Sequence, residues 1–135
     1  MALAATSVQA KSWMVDYEQA MEKANAENKK VLLYFTGSDW CPPCMAMEKQ
    51  TFSKPEFNQY AEANLVLLAV DFPEYKPLPE ALLRHNLELA KKFEFQGIFP
   101  TFILANSEGQ VLAKHEGYME GGPDGFIDWL YQAKR

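Results

Sequence analysis

A chain of 135 residues with 48% apolar side chains holds enough for one hydrophobic core and little for a second domain. That composition excludes a disordered chain, and no run approaches the ~18 apolar residues that would suggest a membrane span. Thirteen Lys and Arg against eighteen Asp and Glu leave a net charge of −5, so there is no basic footprint for a nucleic-acid backbone or an anionic bilayer. Two cysteines are also too few for a disulfide-stapled scaffold.

Residues 2–10 are small, apolar and uncharged, and Lys11 is the first charge. Val8 and Ala10 fit the small-residue pattern before a signal-peptidase cut, although no basic segment precedes them. Residues 1–10 therefore read either as the remnant of a signal peptide, which implies a periplasmic or otherwise extracytoplasmic protein, or as a disordered tail of small residues. Residues 11–135 contain no repeat, linker or low-complexity run and read as a single domain.

Asp16 can cap a helix running to about Asn28, with Tyr17, Ala20, Met21 and Ala24 on one face. Val31–Phe35 is a buried central strand bounded by charge and by Gly37. Pro42 and Pro43 open a helix that is expected to reach Phe52, because a missing N–H costs least in the first turn. Ser53 and Pro55 start a short helix carrying Phe57, Tyr60 and Ala61. Leu65–Val70 is a second buried strand, and 71–79, with three prolines, is a loop. Residues 80–93 are helical, with Leu83, Leu87 and Ala90 as the expected apolar stripe. Thr101–Leu104 and Val111–Lys114 form a hairpin around Asn106–Gly109, and Phe126, Ile127, Leu130 and Tyr131 line a last helix. Strands separated by helices imply parallel pairs, with the hairpin adding an antiparallel edge: an α/β sandwich on a mixed sheet.

The chemistry concentrates at Cys41 and Cys44. On a helix, residues i and i+3 have Cβ atoms roughly 5–6 Å apart, and a disulfide accepts Cα separations of about 4.4–6.8 Å. The pair can close or open with little backbone motion, as a reversible redox couple requires. Cys41 would sit at the helix amino end, where the dipole and free N–H groups favour a thiolate, with Cys44 one turn inside to resolve a mixed disulfide. The two prolines remove two N–H groups that could have faced the Cys41 sulfur. The expected thiolate is therefore only moderately stabilised and its pKa lies near ~7, against ~3.5 for the strongest oxidants.

Other readings of the pair are weaker. A tetrahedral zinc site needs two further ligands, and His85 and His115, thirty residues apart, read as surface or loop residues. Cu(I) suits thiolate and thioether ligands, but Met45 and Met47 point about 200° apart on a helix with 3.6 residues per turn, so at most one could join the cysteines. No metal or other cofactor is expected.

The run Tyr34-Phe35-Thr36-Gly37-Ser38-Asp39-Trp40-Cys41-Pro42-Pro43-Cys44 resembles the strand-to-helix active site of the thioredoxin superfamily. Gly97-Ile98-Phe99-Pro100-Thr101-Phe102 is similar to that family's Gly-x-Pro-Thr segment. Gly37-Ser38-Asp39-Trp40-Cys41 and Phe52-Ser53-Lys54-Pro55-Glu56-Phe57 resemble secreted bacterial thioredoxin-like proteins and the carboxy-terminal domain of the DsbD family. The resemblance spans residues 14–133 and implies a thioredoxin fold, a mixed sheet with helices on both faces.

It further implies Cys41 as nucleophile, Cys44 as resolving thiol, Trp40 as shield and Pro100 in cis. Phe99 would then offer its backbone as a short edge for an extended substrate. Trp40, Pro42, Phe99 and Tyr118 would form an apolar rim, while Phe52, Phe57, Phe102 and Trp129 read as core.

Two departures from the family pattern stand out. Two residues separate Gly97 from Pro100 where the family commonly has one, which can tilt the substrate edge. The buried Asp that thioredoxins use as proton acceptor maps onto Tyr34, whose phenol, with a pKa near ~10, is a poor base. Glu48, four residues after Cys44 and on the same helix face, is the candidate substitute; the alternative is a solvated charge paired with Lys49 or Lys54. Asp39 reads as an exposed turn residue.

The expected function is thiol–disulfide exchange, foremost as a monomeric periplasmic disulfide reductase. Its expected partners are disulfide-bonded or thiol-bearing proteins and a membrane or soluble thiol donor. Oxidase or isomerase activity, a non-enzymatic substrate-holding module and Cu(I) binding are the alternatives.

Overall fold

The computed structural model describes residues 13–133. The reading of residues 1–10 lies outside them. Among these described residues five strands and five α-helices are joined in the order β1 Trp13–Met14, α1 Tyr17–Glu27, β2 Lys30–Thr36, α2 Pro42–Met47, α3 Pro55–Asn64, β3 Leu65–Asp71, α4 Glu80–Lys92, β4 Thr101–Ala105, β5 Val111–Glu116 and α5 Gly122–Ala133. The sheet order is β1-β3-β2-β4-β5.

Strand alternation divides the core in two. Leu32, Tyr34, Leu67, Phe102 and Leu104 face one layer, where Met47, Phe52, Phe57, Phe126 and Leu130 close over them. Val31, Leu33, Phe35, Val66, Leu68 and Ile103 face the other, beneath Ala20, Ala24, Leu89 and Phe93. Because β2 is covered on both sides, it reads as one continuous apolar run. Asp16 caps α1 through its carboxylate, which accepts from Gln19 N–H at 2.9 Å, and Asn28 ends the helix in the left-handed region.

The structure departs from sequence expectation at four places. β1 has only two residues, too few to show a period, and pairs parallel with β3. β4 runs antiparallel to β2, with Phe35 opposite Thr101, although a helix separates β3 from β4. The eight residues 93–100 after α4 carry the chain back to the carboxyl end of β2, so the helix does not enforce a parallel return. The helix opened by Pro42 changes character after Met47: residues Glu48–Phe52 form a π-helical turn, and Ser53 N–H reaches Glu48 O at 2.9 Å. In α4 the inward face is Asn86 and Leu89, while Leu83 and Leu87 are exposed. Asn86 is buried because its side-chain amide donates to Asp71 O at 2.9 Å, a polar contact that apolar periodicity does not register.

Candidate active site

β2 carries the chain into the site and stops at Gly37. Trp40 and Cys41 both donate their N–H groups back to Gly37 O, at 3.3 and 3.0 Å. A Cβ on Gly37 would lie 2.3 Å from the Trp40 ring, so this turn closes only on glycine. Cys41 is extended (φ −102°, ψ 107°) and caps α2, its Sγ accepting from Cys44 N–H at 3.3 Å. Pro42 and Pro43 occupy the first turn and have no N–H to add. Cys41 and Cys44 form a disulfide across one helical turn, with Cα atoms 5.3 Å apart. In this oxidised state Cys44 is fully buried and Cys41 is 2% exposed.

Beneath the pair lies a polar cluster. Tyr34, at the position where the resemblance places a buried acid, donates its hydroxyl to Cys44 O at 3.2 Å. Burial pushes its phenol well above the ordinary range. Glu48 interacts with the same phenol. Much of the Glu48 side chain meets solvent, but its carboxyl end is desolvated. That desolvation raises its pKa above the usual carboxylate range; the Tyr34 hydroxyl opposes the shift and the negative charge of Asp71 adds to it. Among the described residues no ion pair joins Glu48 to Lys49 or Lys54.

The outer wall is aromatic. Trp40 meets Phe99 edge to face, with ring centroids 5.1 Å apart, and donates its indole N–H to Phe72 O at 2.7 Å. The Phe99–Pro100 peptide is cis, and Pro100 itself is buried. The Trp40–Phe99 contact thus ties the loop before β4 to the cysteine turn. The extra residue of that loop is accommodated by a left-handed Gly97 (φ 81°) and by an outward-facing Ile98, whose carbonyl accepts from the Thr101 hydroxyl at 2.6 Å. Trp40, the residue before Cys41, lines with Phe72, Pro73, Leu87, Phe95 and Phe99 an open apolar groove of about 420 Å³. Pro42 is exposed at the start of α2. Tyr118, expected on the rim, donates its hydroxyl to Gln50 Oε1 on the π-helical turn. Met47 is buried and Met45 exposed.

Sequence reasoning missed three contributors. Asp39 is not an idle turn residue: its carboxylate accepts from three successive backbone N–H groups, those of Glu74, Tyr75 and Lys76. Asp71 accepts from both the N–H and the hydroxyl of Ser38. His85, read as surface or loop, joins two helices, accepting from Tyr17 N–H at Nε2 (3.0 Å) while Nδ1 meets Asn86 Oδ1 (2.7 Å). All three act across 33 or more residues or through a neighbour that is itself buried, so no local spacing announces them.

A five-stranded mixed sheet flanked by helices, with a cysteine pair at the amino end of the helix after its central strand and a cis-proline loop packed against it, is the thioredoxin architecture. The chain belongs to the thioredoxin-like domain family, whose model matches residues 17–134. It is 34% identical over 117 residues to the disulfide bond reductase DsbH of Chlamydia pneumoniae, covering 87% of this chain and 69% of that protein. A solved structure of a DsbH oxidoreductase superposes with a TM-score of 0.82 at 33% identity, covering 90% of this chain and 82% of that one. The oxidised carboxy-terminal domain of Neisseria meningitidis DsbD superposes with a TM-score of 0.61 at 25% identity, covering 90% and 98%. The chain is therefore homologous to thiol–disulfide oxidoreductases of the DsbH, DsbJ and DsbD kinds, although it spans only 28% of the matched DsbJ and 17% of one matched DsbD.

Proposed function

We propose that the domain is a disulfide reductase acting on protein substrates outside the cytoplasm, as a monomer, with Cys41–Cys44 as its redox couple. The observation that carries this reading is the cap at Cys41: a sulfur at a helix amino terminus receiving one backbone N–H, from Cys44, where the two prolines deny it others. One such donor favours a thiolate at neutral pH without the strong stabilisation that makes a dithiol form an oxidant. The similarity to a protein named as a disulfide bond reductase supports the same direction.

In the reduced domain the Cys41 thiolate attacks one sulfur of a substrate disulfide. That S–S bond breaks, a mixed disulfide forms at Cys41, and the first substrate sulfur leaves as a thiolate that takes a proton. Cys44 then loses its proton and attacks the Cys41 sulfur, releasing the second substrate thiolate. Two electrons have passed to the substrate, and the domain holds the Cys41–Cys44 disulfide. Glu48, whose pKa desolvation raises and which lies beside the Tyr34 hydroxyl that holds Cys44 O, exchanges the Cys44 proton. Phe99 and Pro100 present the substrate edge, and the groove behind Trp40 takes an apolar side chain of the extended substrate. A membrane or soluble thiol donor restores the dithiol.

The compartment follows from the chemistry: protein disulfides persist where the environment is oxidising, and the small-residue run before Lys11 fits export. Among the described residues no helix is long and apolar enough to cross a membrane. Insulin reduction by the pre-reduced protein tests the reading. The wild type is expected to precipitate insulin chains and Cys41→Ser to be inactive. A wild type no more active than Cys41→Ser would instead favour a substrate-holding module.

A further inference from the structure

The groove wall formed by residues 72–74 opens a proline-rich loop in which Phe72 packs against Phe95 and Phe99, while the residues after Pro73 have little packing to hold them. Glu74, Tyr75 and Lys76 are all exposed, Tyr75 to 77%. A segment with so few buried contacts opens easily unless something else fixes it. Here the fixing groups come from the cysteine turn. Asp39 Oδ1 accepts from Glu74 N–H at 2.8 Å, and Oδ2 accepts from Tyr75 and Lys76 N–H at 2.9 and 3.0 Å.

The return half of the contact comes from the end of β3. Asp71 Oδ1 accepts from Ser38 N–H at 2.9 Å and Oδ2 from the Ser38 hydroxyl at 2.5 Å, while Trp40 Nε1 donates to Phe72 O. Residues 38–40 and 71–76 are thus cross-braced by one carboxylate from each side. Bonds to an ionised acceptor are the stronger kind, and three converge on Asp39. The brace adjoins the groove, because Trp40 is the residue after Asp39 and its ring lines the groove together with Phe72, Pro73 and Glu74.

We propose that Asp39 is a positioning residue for protein substrates: its carboxylate holds residues 74–76 against the cysteine turn and so fixes the groove wall that a substrate side chain beyond the reacting disulfide must meet. This rests on the reductase reading for its substrate but not for its geometry. A small disulfide has only to reach Cys41 and does not use that wall. A protein disulfide uses it, and without the brace must order the loop itself on binding, which weakens association and leaves the sulfur exchange unchanged.

The test compares pre-reduced wild type, Asp39→Asn and Asp39→Ala in single-turnover reactions with insulin and with hydroxyethyl disulfide, alongside amide hydrogen exchange. In Asp39→Ala the half-saturating insulin concentration is expected to rise about five- to tenfold, the worth of roughly one lost hydrogen bond, with the limiting rate held within about twofold. The hydroxyethyl disulfide rate stays within the same twofold, and the amides of 74–76 lose protection. Asp39→Asn, which keeps one acceptor oxygen, falls between. A role in folding alone would slow both substrates together, and that result, or retained protection at 74–76 in Asp39→Ala, would overturn the proposal. A wild type that reacts with hydroxyethyl disulfide but not with insulin would count against the reductase reading itself, while exchange at amides 74–76 still decides whether the brace exists.

Discussion

A single methyl group at Gly37 is enough to disturb the site. In Gly37→Ala the new Cβ meets the Trp40 ring at 2.3 Å, so the indole must leave its place between Phe99 and Phe72 O. We expect a loss of about 1–3 kcal/mol, the usual cost of overpacking, read as a lower urea midpoint together with a shifted Trp40 indole N–H resonance. Glu48 gives a prediction in pH. Its folded pKa is raised, so between the ordinary carboxylate value and the folded value the native state binds more protons than the unfolded one, and stability falls as pH rises through that window. Glu48→Gln removes the titration. Its thermal midpoint is expected to match the wild type below the ordinary carboxylate pKa, to exceed it by an amount that grows as pH rises through that window, and to keep a constant excess above it. If Glu48 serves Cys44, the same variant also slows release of the mixed disulfide at neutral pH; equal midpoints and equal release rates would contradict both roles. At this scale the sequence was most legible where the chemistry is local. Cys41, Cys44 and Trp40 are neighbours, and Glu48 is one turn on. Asp39 was opaque because its partners arrive 35–37 residues later on a loop whose course depends on the fold.

Among the elements, the π-helical turn Glu48–Phe52 connects the site to the core. It buries Thr51 and Phe52, and Phe52 packs against Trp13, Tyr34, Phe57, Phe102 and Phe126. Phe52→Ala is expected to cost about 3–5 kcal/mol in denaturant unfolding, with a smaller loss showing that the ring cluster collapses around the gap. At the end of α4, Glu94 adopts φ 55°, and Phe95 N–H returns to Ala90 O. This is a helix stop that glycine makes without strain. Glu94→Gly is expected to stabilise by about 0.5–1 kcal/mol, seen as a thermal midpoint a few degrees higher; a lower midpoint would show that the Glu94 side chain holds the loop. The long strands and the capped helix α1 were readable from apolar runs and from Asp16. The stripe on α4 was misread because Leu83 and Leu87 have helical spacing while the buried contact belongs to Asn86. Neither a two-residue strand nor a slip from i+4 to i+5 hydrogen bonding leaves a compositional trace, so β1 and the π-helical turn had to come from the structure.

Across the whole molecule, the site exists because three segments end at one edge of the sheet. The order β3-β2-β4 makes their ends neighbours: the cysteine turn leaves the carboxyl end of β2, the braced loop leaves the carboxyl end of β3, and the Phe99–Pro100 loop enters β4. The last is possible only because β4 is antiparallel to β2. A parallel β4, as helix-separated strands suggested, would have carried Pro100 to the opposite edge. The two motifs were therefore correctly associated through the family resemblance, while the strand direction that joins them could not be read from helix and strand alternation.

The account as a whole turns on electrons flowing from Cys41–Cys44 to protein disulfides, and the reduction potential of that couple tests this most directly. Equilibration of the purified domain against glutathione or dithiothreitol buffers, with thiols counted after acid quench, is expected to give a value more negative than about −200 mV, consistent with a sulfur capped by one backbone N–H. A value near about −120 mV, typical of a dedicated oxidant, would contradict the reductase assignment.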